Sequence, residues 1–232
     1  MKLAPSALPL RWLKGCATGF IALAAMATTA LGHPHVSIDN RADIVLDDEG
    51  RIVAINVEWK FDEMYSLAAV EGLDKNGDGQ YEPDEIHEIA KENIEALREY
   101  SYFVDAKANG ARIEFDEVTE YGNLFNNGVL TLYFRVPLKE PIDPASASFS
   151  FAVYDPTYYI AILLAEPDPI QIIGTLKEGC GLEIRKSAAE AENYQYSEDF
   201  WDQAQDNLGA MFAQTIALKC GEGPKQAAST VN

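Results

Sequence analysis

The sequence is poor in the residues on which many enzyme active sites depend. Its 232 residues include only three histidines and three cysteines, so no Ser/His/Asp or Cys/His arrangement can be assembled. There is also no glycine-rich loop of the kind that cradles phosphates. These absences argue against an enzyme and favour a binding or structural role.

Basic residues are scarce as well. The chain has 18 Lys and Arg against 37 Asp and Glu, for a formal net charge of −19. Such a surface repels nucleic acid and anionic membranes and favours cations. With 47% hydrophobic residues the chain nevertheless has enough apolar material for a globular core.

The first residues have the pattern of a secretory signal peptide. Three basic residues precede an uncharged apolar run over residues 17–31, which is shorter than the roughly twenty residues of a membrane span. Ala30 and Gly32 are the small residues that a cleavage site requires, which predicts a mature terminus at His33. We therefore expect removal of residues 1–32 and no membrane insertion afterwards; the alternative is an uncleaved anchor.

Two cysteines survive this processing, Cys180 and Cys220. An even pair in an exported protein predicts a disulfide. Closing a loop of this size stabilises the folded state by roughly 3–4 kcal/mol in the chain-entropy model.

Alternating apolar and polar residues predict a chain dominated by antiparallel strands. The predicted strands form a hairpin over residues 36–61 with a turn at 47–50, a second hairpin from 102–106 and 112–118 around Asn109-Gly110, and runs at 129–136, 147–154, 158–164, 171–173, 182–185 and 215–219. A helix is expected from Ser197 to about Ala213, and residues 221–232 are expected to be disordered. The predicted fold class is α+β, with one β-rich domain over residues 33–220.

The stretch DKNGDGQYEPDE, from Asp74 to Glu85, has the spacing of a calcium-binding loop. A calcium ion takes six to eight oxygens, and a twelve-residue loop supplies them from positions 1, 3, 5, 7, 9 and 12. The residues at those positions are Asp74, Asn76, Asp78, Gln80, Glu82 and Glu85. Gly79, at position 6, permits the sharp turn.

This loop resembles the EF-hand family and matches its pattern D-x-[DN]-x-[DN]-G-x5-E at every position. Helices are predicted on both sides, over residues 62–72 and 84–100, so the EF-hand is an insert at about 62–100 between two hairpins. No second loop of this kind occurs in the sequence, and a lone loop suits weak calcium binding and a structural brace better than a sensor. The alternative is an acidic, glycine-rich turn that binds nothing.

Two of the three histidines, His33 and His35, lie at the predicted mature terminus. A free α-amine beside two imidazoles suits zinc, copper, nickel or cobalt. Pro34 has no N–H to lose, which excludes a terminal square-planar site of the third-position type. Further ligands must come from elsewhere. The candidates are Asp39, Asp62, Glu63 and Asp155. The alternative is an idle polar terminus, and His87 is expected to be a surface helix residue.

Four stretches together resemble a bacterial family of unknown function, one that is labelled as the periplasmic component of an uncharacterised ABC-type transport system. They are HPHVSID, EWKFDEMYS, YDPTYY and FAQTIALKC. Members are often encoded beside nickel/cobalt permeases, so the resemblance implies a periplasmic role in transition-metal handling with a membrane transporter as partner. The resemblance implies no catalytic residues in this sequence, and the full calcium loop is similar to that of only some members of the family.

The sequence thus leads to two main hypotheses and a weaker third. The first is a periplasmic metal-binding accessory of a metal transporter, with His33 and His35 as ligands. The second is a calcium-stabilised structural or interaction module in which these histidines are idle. An enzyme with a copper brace at His33 lacks a further, well-placed histidine.

Overall fold

The computed structural model describes residues 34–190 and 207–221. Its strands are β1 (Val36–Leu46), β2 (Ile52–Phe61), β3 (Val104–Ala108), β4 (Ala111–Arg112), β5 (Tyr121–Asn126), β6 (Val129–Ile142), β7 (Phe149–Val153), β8 (Ile160–Leu164), β9 (Ile172–Ile173), β10 (Cys180–Arg185) and β11 (Thr215–Cys220). Its α-helices are α1 (Glu63–Ala69), α2 (Pro83–Arg98) and α3 (Leu208–Phe212), and a short 3-10 helix spans Ser101–Phe103.

The strands form two sheets. Sheet A has the order β5-β6-β2-β1-β8, with β9 also paired to β1, and sheet B has the order β10-β11-β7-β3-β4. Side chains from both sheets meet in one apolar core, in which Ile44 and Trp59 come from sheet A and Phe151 and Ile216 from sheet B. This arrangement confirms a β-rich α+β fold and divides the expected strands between two packed layers.

The first hairpin is confirmed. Strands β1 and β2 pair antiparallel from Ile38↔Phe61 to Leu46↔Ile52. The Asp47 carboxylate accepts the backbone N–H groups of Glu49 and Arg51 at 3.0 and 2.8 Å, so it holds the turn as an Asx turn. On its other side, however, β1 pairs with β8 in parallel. The sequence predicted only antiparallel pairing, so this neighbour was not expected.

The second hairpin is confirmed only near its turn. Asn109 and Gly110 form the turn with positive φ, but β4 ends at Arg112 instead of running to residue 118. Beyond it, Phe115 forms an isolated bridge with Leu138. Strand β5 was not predicted, because a glycine and two asparagines weaken its alternation.

The helices on either side of the loop at 74–85 are both present, but they are shorter than predicted. Helix α2 begins at Pro83 behind a capping box formed by Glu82 and Glu85. It packs on β5, where the buried Asn123 side chain donates to the Ile86 carbonyl at 3.2 Å. The helix stops at Arg98, because the 3-10 helix that follows has left-handed φ at all three of its residues.

Several predictions from the sequence lie wholly or mostly outside the described residues. These are the signal peptide at 1–32, His33, most of the helix predicted at 197–213 and nearly all of the tail at 221–232. The described part of that helix is α3, and the strand predicted at 215–219 is confirmed as β11. None of the helices within 34–190 and 207–221 is long and apolar enough to cross a membrane.

Candidate functional site

The loop from Asp74 to Glu85 is folded around its own acidic side chains. One Asp74 carboxylate oxygen accepts the Gly77 N–H at 2.7 Å, and the other accepts the Gly79 N–H at 2.9 Å. Gly79 has a φ of 81°, a value that glycine adopts without steric cost. The loop therefore curls back over its first residue.

The middle of the loop repeats this pattern at shorter range. The Asn76 side-chain oxygen accepts the Asp78 N–H at 2.8 Å, and an Asp78 carboxylate oxygen accepts the Gln80 N–H at 2.8 Å. The Asn76 amide group also donates to Glu82 at 3.3 Å. Each of these side chains is thereby held within the loop.

Glu85 closes the loop from the first turn of α2. One of its carboxylate oxygens accepts the Lys75 N–H at 2.8 Å and the Asn76 N–H at 3.3 Å, and the other accepts the Glu82 N–H at 3.3 Å. The backbone donor of Lys75 lowers the pKa of Glu85. The hydrogen bond between the two glutamates raises the pKa of Glu82. Two carboxylates thus lie close together at the exit of the loop.

The structure therefore places all six predicted calcium ligands in one short loop between two helices. Its carboxylates are held by backbone N–H groups. Within the described ranges, no three His, Cys, Asp or Glu side chains are grouped closely enough to form a metal cluster. Calcium binding by the loop remains a prediction.

The described part of the HPH terminus lies against the start of β8. The backbone N–H of His35 donates to the Tyr159 carbonyl at 2.9 Å. The His35 ring meets the Tyr159 ring edge-on, with centroids 4.7 Å apart. One predicted ligand is therefore fixed beside the YDPTYY stretch, while His33 lies outside the described residues.

Asp62 ties this terminus to the first helix. Its carboxylate accepts the Ser37 N–H and, as the N-cap of α1, the Tyr65 N–H, both at 2.9 Å. Burial opposes ionisation of this carboxyl, but the backbone N–H donors, Ser37 first among them, outweigh that effect and lower its pKa. Asp62 thus has a structural role that the sequence did not reveal.

Asp155 has a similar role in the next segment. The side chain is 5% exposed, and it accepts the Thr157 N–H and hydroxyl at 2.8 Å and the Ile160 N–H at 3.0 Å. These contacts fix the Asp155 loop, by which we mean residues 154–159. Of the four acids proposed as further metal ligands, Asp39 and Glu63 are the exposed ones.

The Asp155 loop is the point at which the distant stretches of the family resemblance meet. The Gly209 N–H donates to the Pro156 carbonyl at 3.1 Å, and Tyr158 stacks on Phe212 with centroids 4.3 Å apart. A Cβ atom at position 209 would overlap the Asp155 carbonyl oxygen. The sequence marked neither Gly209 nor Phe212 as part of a site, although Phe212 is the first residue of FAQTIALKC and Gly209 lies three residues before it.

A cavity of about 440 Å³ opens beside this loop. Its wall includes Tyr158 and Phe212, Leu164 from β8, and the carboxylate-bearing residues Glu166 and Glu190. The volume is within the range of small binding sites. The Asp155 loop thus contributes to the wall of this cavity and also contacts His35 of the HPH terminus.

The disulfide between Cys180 and Cys220 is present and confirms that prediction. The two cysteines lie directly opposite each other on β10 and β11. The bond therefore joins the edge strand of sheet B to its neighbour. Disulfides of this kind persist in oxidising compartments, which is compatible with export.

The chain belongs to the family described as "Protein of unknown function (DUF1007)", which it matches over residues 18–220. It is 28% identical over 199 residues to an "Uncharacterized protein" of Haemophilus influenzae, a match that covers 82% of this chain and 92% of that one. It is 25% identical over 99 residues to an "Uncharacterized 15.5 kDa protein in trpE 3'region" of Spirochaeta aurantia, covering 43% of this chain and 70% of that one.

Among solved structures, the chain is similar to AChBP from Bulinus truncatus, with a TM-score of 0.36 and 11% identity over 80% of this chain and 85% of that one. A likeness this weak carries no functional argument. The membership in the family is thus the firm result of the comparisons.

Proposed function

We propose that the protein is a periplasmic metal-binding accessory of a membrane transporter for a transition metal, braced by calcium at the EF-hand loop. The observation that carries this proposal is the loop from Asp74 to Glu85, in which every oxygen-bearing position of the EF-hand pattern lies in one short, internally hydrogen-bonded turn. Calcium prefers such carboxylate and carbonyl oxygens.

Calcium would act on the fold through α2. Glu85 belongs both to the loop and to the first turn of this helix, and the next residue, Ile86, is fully buried and accepts a hydrogen bond from Asn123 of β5. A cation held by Glu85 therefore stabilises the contact of α2 with sheet A. The expected role is a structural brace, because the sequence has a single loop of this kind.

The calcium test compares the same type of substitution, Glu to Gln, at two positions on α2. Calcium should raise the melting temperature of the protein by stabilising it by about 2.7 kcal/mol at a hundredfold excess over Kd. Glu85→Gln should abolish that rise, since it removes the charge and the bidentate grip, whereas Glu92→Gln, at an exposed position of the same helix, should retain it. An equal calcium response in both variants would refute the calcium site.

The transition-metal site is proposed at the mature terminus, through the imidazoles of His33 and His35. The position of His35 beside Tyr159 supports it, because the terminus is tied to the fold at this point. Two exposed acids offer further oxygen ligands: Asp39 of β1, which pairs with Lys60, and Glu63, the first residue of α1. Zinc, nickel, cobalt and copper all accept imidazole ligands.

Calorimetry with these four metals on protein beginning at His33 should show one tight event, which a His33→Ala/His35→Ala double variant loses. A His87→Ala variant, changed at the histidine that stacks on Tyr121, is the matched control and should bind normally. Imidazoles and α-amines must lose protons to coordinate, so affinity should climb between about pH 6 and 8. Equal affinity in the double variant and the control would leave the histidines idle.

The second candidate function is a calcium-stabilised structural or interaction module without transition-metal binding. It is favoured by Asp62 and Asp155, whose carboxylates are already used by backbone donors. This alternative predicts a normal calcium response together with no histidine-dependent metal binding, so the two titrations above distinguish it from the first function.

Export and the transporter partner are part of the same proposal. The predicted signal peptide, the disulfide and the acidic composition all suit the periplasm. Mass spectrometry of the exported protein should find His33 as its first residue and identify the metal that co-purifies. A mature form that keeps residues 1–32 would contradict the predicted cleavage.

A further inference from the structure

The open edge of sheet A lies directly beside the cavity at the Asp155 loop. Strand β8 pairs with β1 on one side, and within residues 34–190 and 207–221 no strand pairs with its other side. Because the Ala165 N–H donates to Asn40 of β1, alternation directs the amides of Ile162 and Leu164 away from β1. Such an edge is a template for a further strand.

The cavity wall also contains a buried polar side chain. Asn40 is 1% exposed, and its side-chain oxygen accepts the Trp59 indole N–H at 3.0 Å. That bond fixes the orientation of the amide. Because Asn40 lines the cavity, the wall includes a held polar group beside the edge of sheet A.

The remaining wall combines apolar surface with negative charge. Tyr158, Leu164 and Phe212 offer apolar contacts, while Glu166 and Glu190 bring two carboxylates. The Glu190 carboxylate is fixed in place, since it accepts the Ser187 N–H at 2.9 Å. A side chain that enters this cavity would therefore need an apolar stem and a positive end, which lysine and arginine both provide.

We propose that β8 and this cavity form a peptide-binding groove, in which an extended segment of a partner protein adds to the edge of β8 and places a basic side chain near Glu166 and Glu190. Backbone hydrogen bonds along the edge would supply affinity, and the cavity would select the side chain, as in other cases of strand addition. This proposal does not rest on calcium binding or on metal binding by the terminal histidines.

The test is a selection of random twelve-residue peptides displayed on phage, followed by fluorescence polarisation of the selected peptides, all in calcium-containing buffer. The expected peptides have alternating apolar residues and a Lys or Arg at a fixed position. Leu164→Pro removes an outward amide that the β1–β8 ladder does not use, so it should weaken binding by about tenfold without loss of the fold.

Two further variants keep the result interpretable. Leu124→Thr changes an exposed side chain on β5, at the opposite edge of sheet A, and it should bind the peptides like the wild type. Glu166→Lys should weaken the binding of peptides with a basic residue at the selected position by about tenfold. It should not weaken the binding of matched peptides that have Glu at the same position.

Three outcomes would overturn the proposal. One is that no peptide is selected. Another is that the selected peptides bind equally well to the Leu164→Pro and Glu166→Lys variants. The third is that the edge is used by a second copy of this chain, seen as a dimer in sedimentation that Leu164→Pro dissociates.

Discussion

The loop from Asp74 to Glu85 and the Asp155 loop both use acids to accept nearby backbone N–H groups, but they differ in what packs against them. In the first, side chains from one continuous segment accept backbone N–H groups of that same segment. In the second, Asp155 fixes a turn against which residues from both ends of the described chain pack, with His35 on one side and Phe212 on the other. The first arrangement is local and the second depends on tertiary structure.

This difference explains what the two regions can tolerate. A contiguous loop keeps the spacing of its proposed ligands when distant segments change, so substitutions at the Asp155 loop should leave the proposed calcium response intact. The Asp155 loop depends on contacts between segments far apart in sequence, so changes to distant positions should disturb it. Substitutions that affect one region and spare the other will show whether the two are independent.

The largest effect is expected from the disulfide. Replacing Cys180 and Cys220 by serine should lower the free energy of unfolding by about 3–4 kcal/mol and loosen β10 and β11, which the bond joins. Compared with the wild type, the serine variant should show a larger increase in hydrogen-exchange rate after residue 182 than in the loop at 74–85. The calcium-induced rise in melting temperature should persist. In the native protein both cysteines should resist alkylation until they are reduced.

Two free thiols on the folded, exported protein would contradict the disulfide. Loss of the calcium response in the serine variant would contradict the independence of the two regions.

A smaller but more specific effect is expected at Gly209. Helix propensity alone predicts that Gly209→Ala stabilises α3 by about 0.5–1 kcal/mol. A Cβ atom there overlaps the Asp155 carbonyl oxygen, so we expect destabilisation by about 1–3 kcal/mol from overpacking. Chemical denaturation of the variant and the wild type measures whether the free energy of unfolding rises or falls. Calcium affinity should not change, and a stabilised variant would show that α3 does not press on the Asp155 loop.

The smallest effect is expected at Asp62. Asp62→Ala should cost about 1 kcal/mol, as for other N-caps, while Asp62→Asn should retain most of the capping. The pKa of Asp62 is lowered in the fold, mainly by the Ser37 N–H against the opposing effect of burial. Its charge therefore stabilises the protein above the unfolded pKa of about 3.9 and ceases to do so as the pH falls through the lower, folded value.

The stability difference between the wild type and Asp62→Asn should accordingly shrink as the pH falls below about 4. Denaturation curves at a series of pH values would measure it. A difference that stays constant from neutral to acid pH would show that the Asp62 charge contributes nothing.

The sequence predicted the features that depend on nearby residues. The turn at 47–50, the Asn109-Gly110 turn and the helices beside the loop at 74–85 are all present, because each is specified by turn formers or periodicity within one segment. The disulfide was predictable for a different reason, since only two cysteines follow the predicted leader.

The contacts between distant segments were not predictable. No local pattern indicates that β8 pairs in parallel with β1, or that Gly209 lies against Asp155. Likewise, Asp62 and Asp155 were candidate metal ligands in the sequence, and only the fold shows that backbone N–H groups donate to their carboxylates. The roles of these two acids follow from the backbone geometry around them, which the residue pattern alone does not specify.

The parallel pairing of β1 with β8 also sets an order of assembly. Val36 pairs with Ile160, so β1 can form its hairpin with β2 early but must wait for most of the polypeptide before its second neighbour, β8, arrives. Bringing such distant segments together has an entropic cost that grows with the intervening length. The position of His35, which hydrogen-bonds to Tyr159, is consequently settled late. In the proposed periplasmic function, a chain still crossing the membrane would have no completed histidine terminus, and metal capture there would begin only after folding is nearly finished.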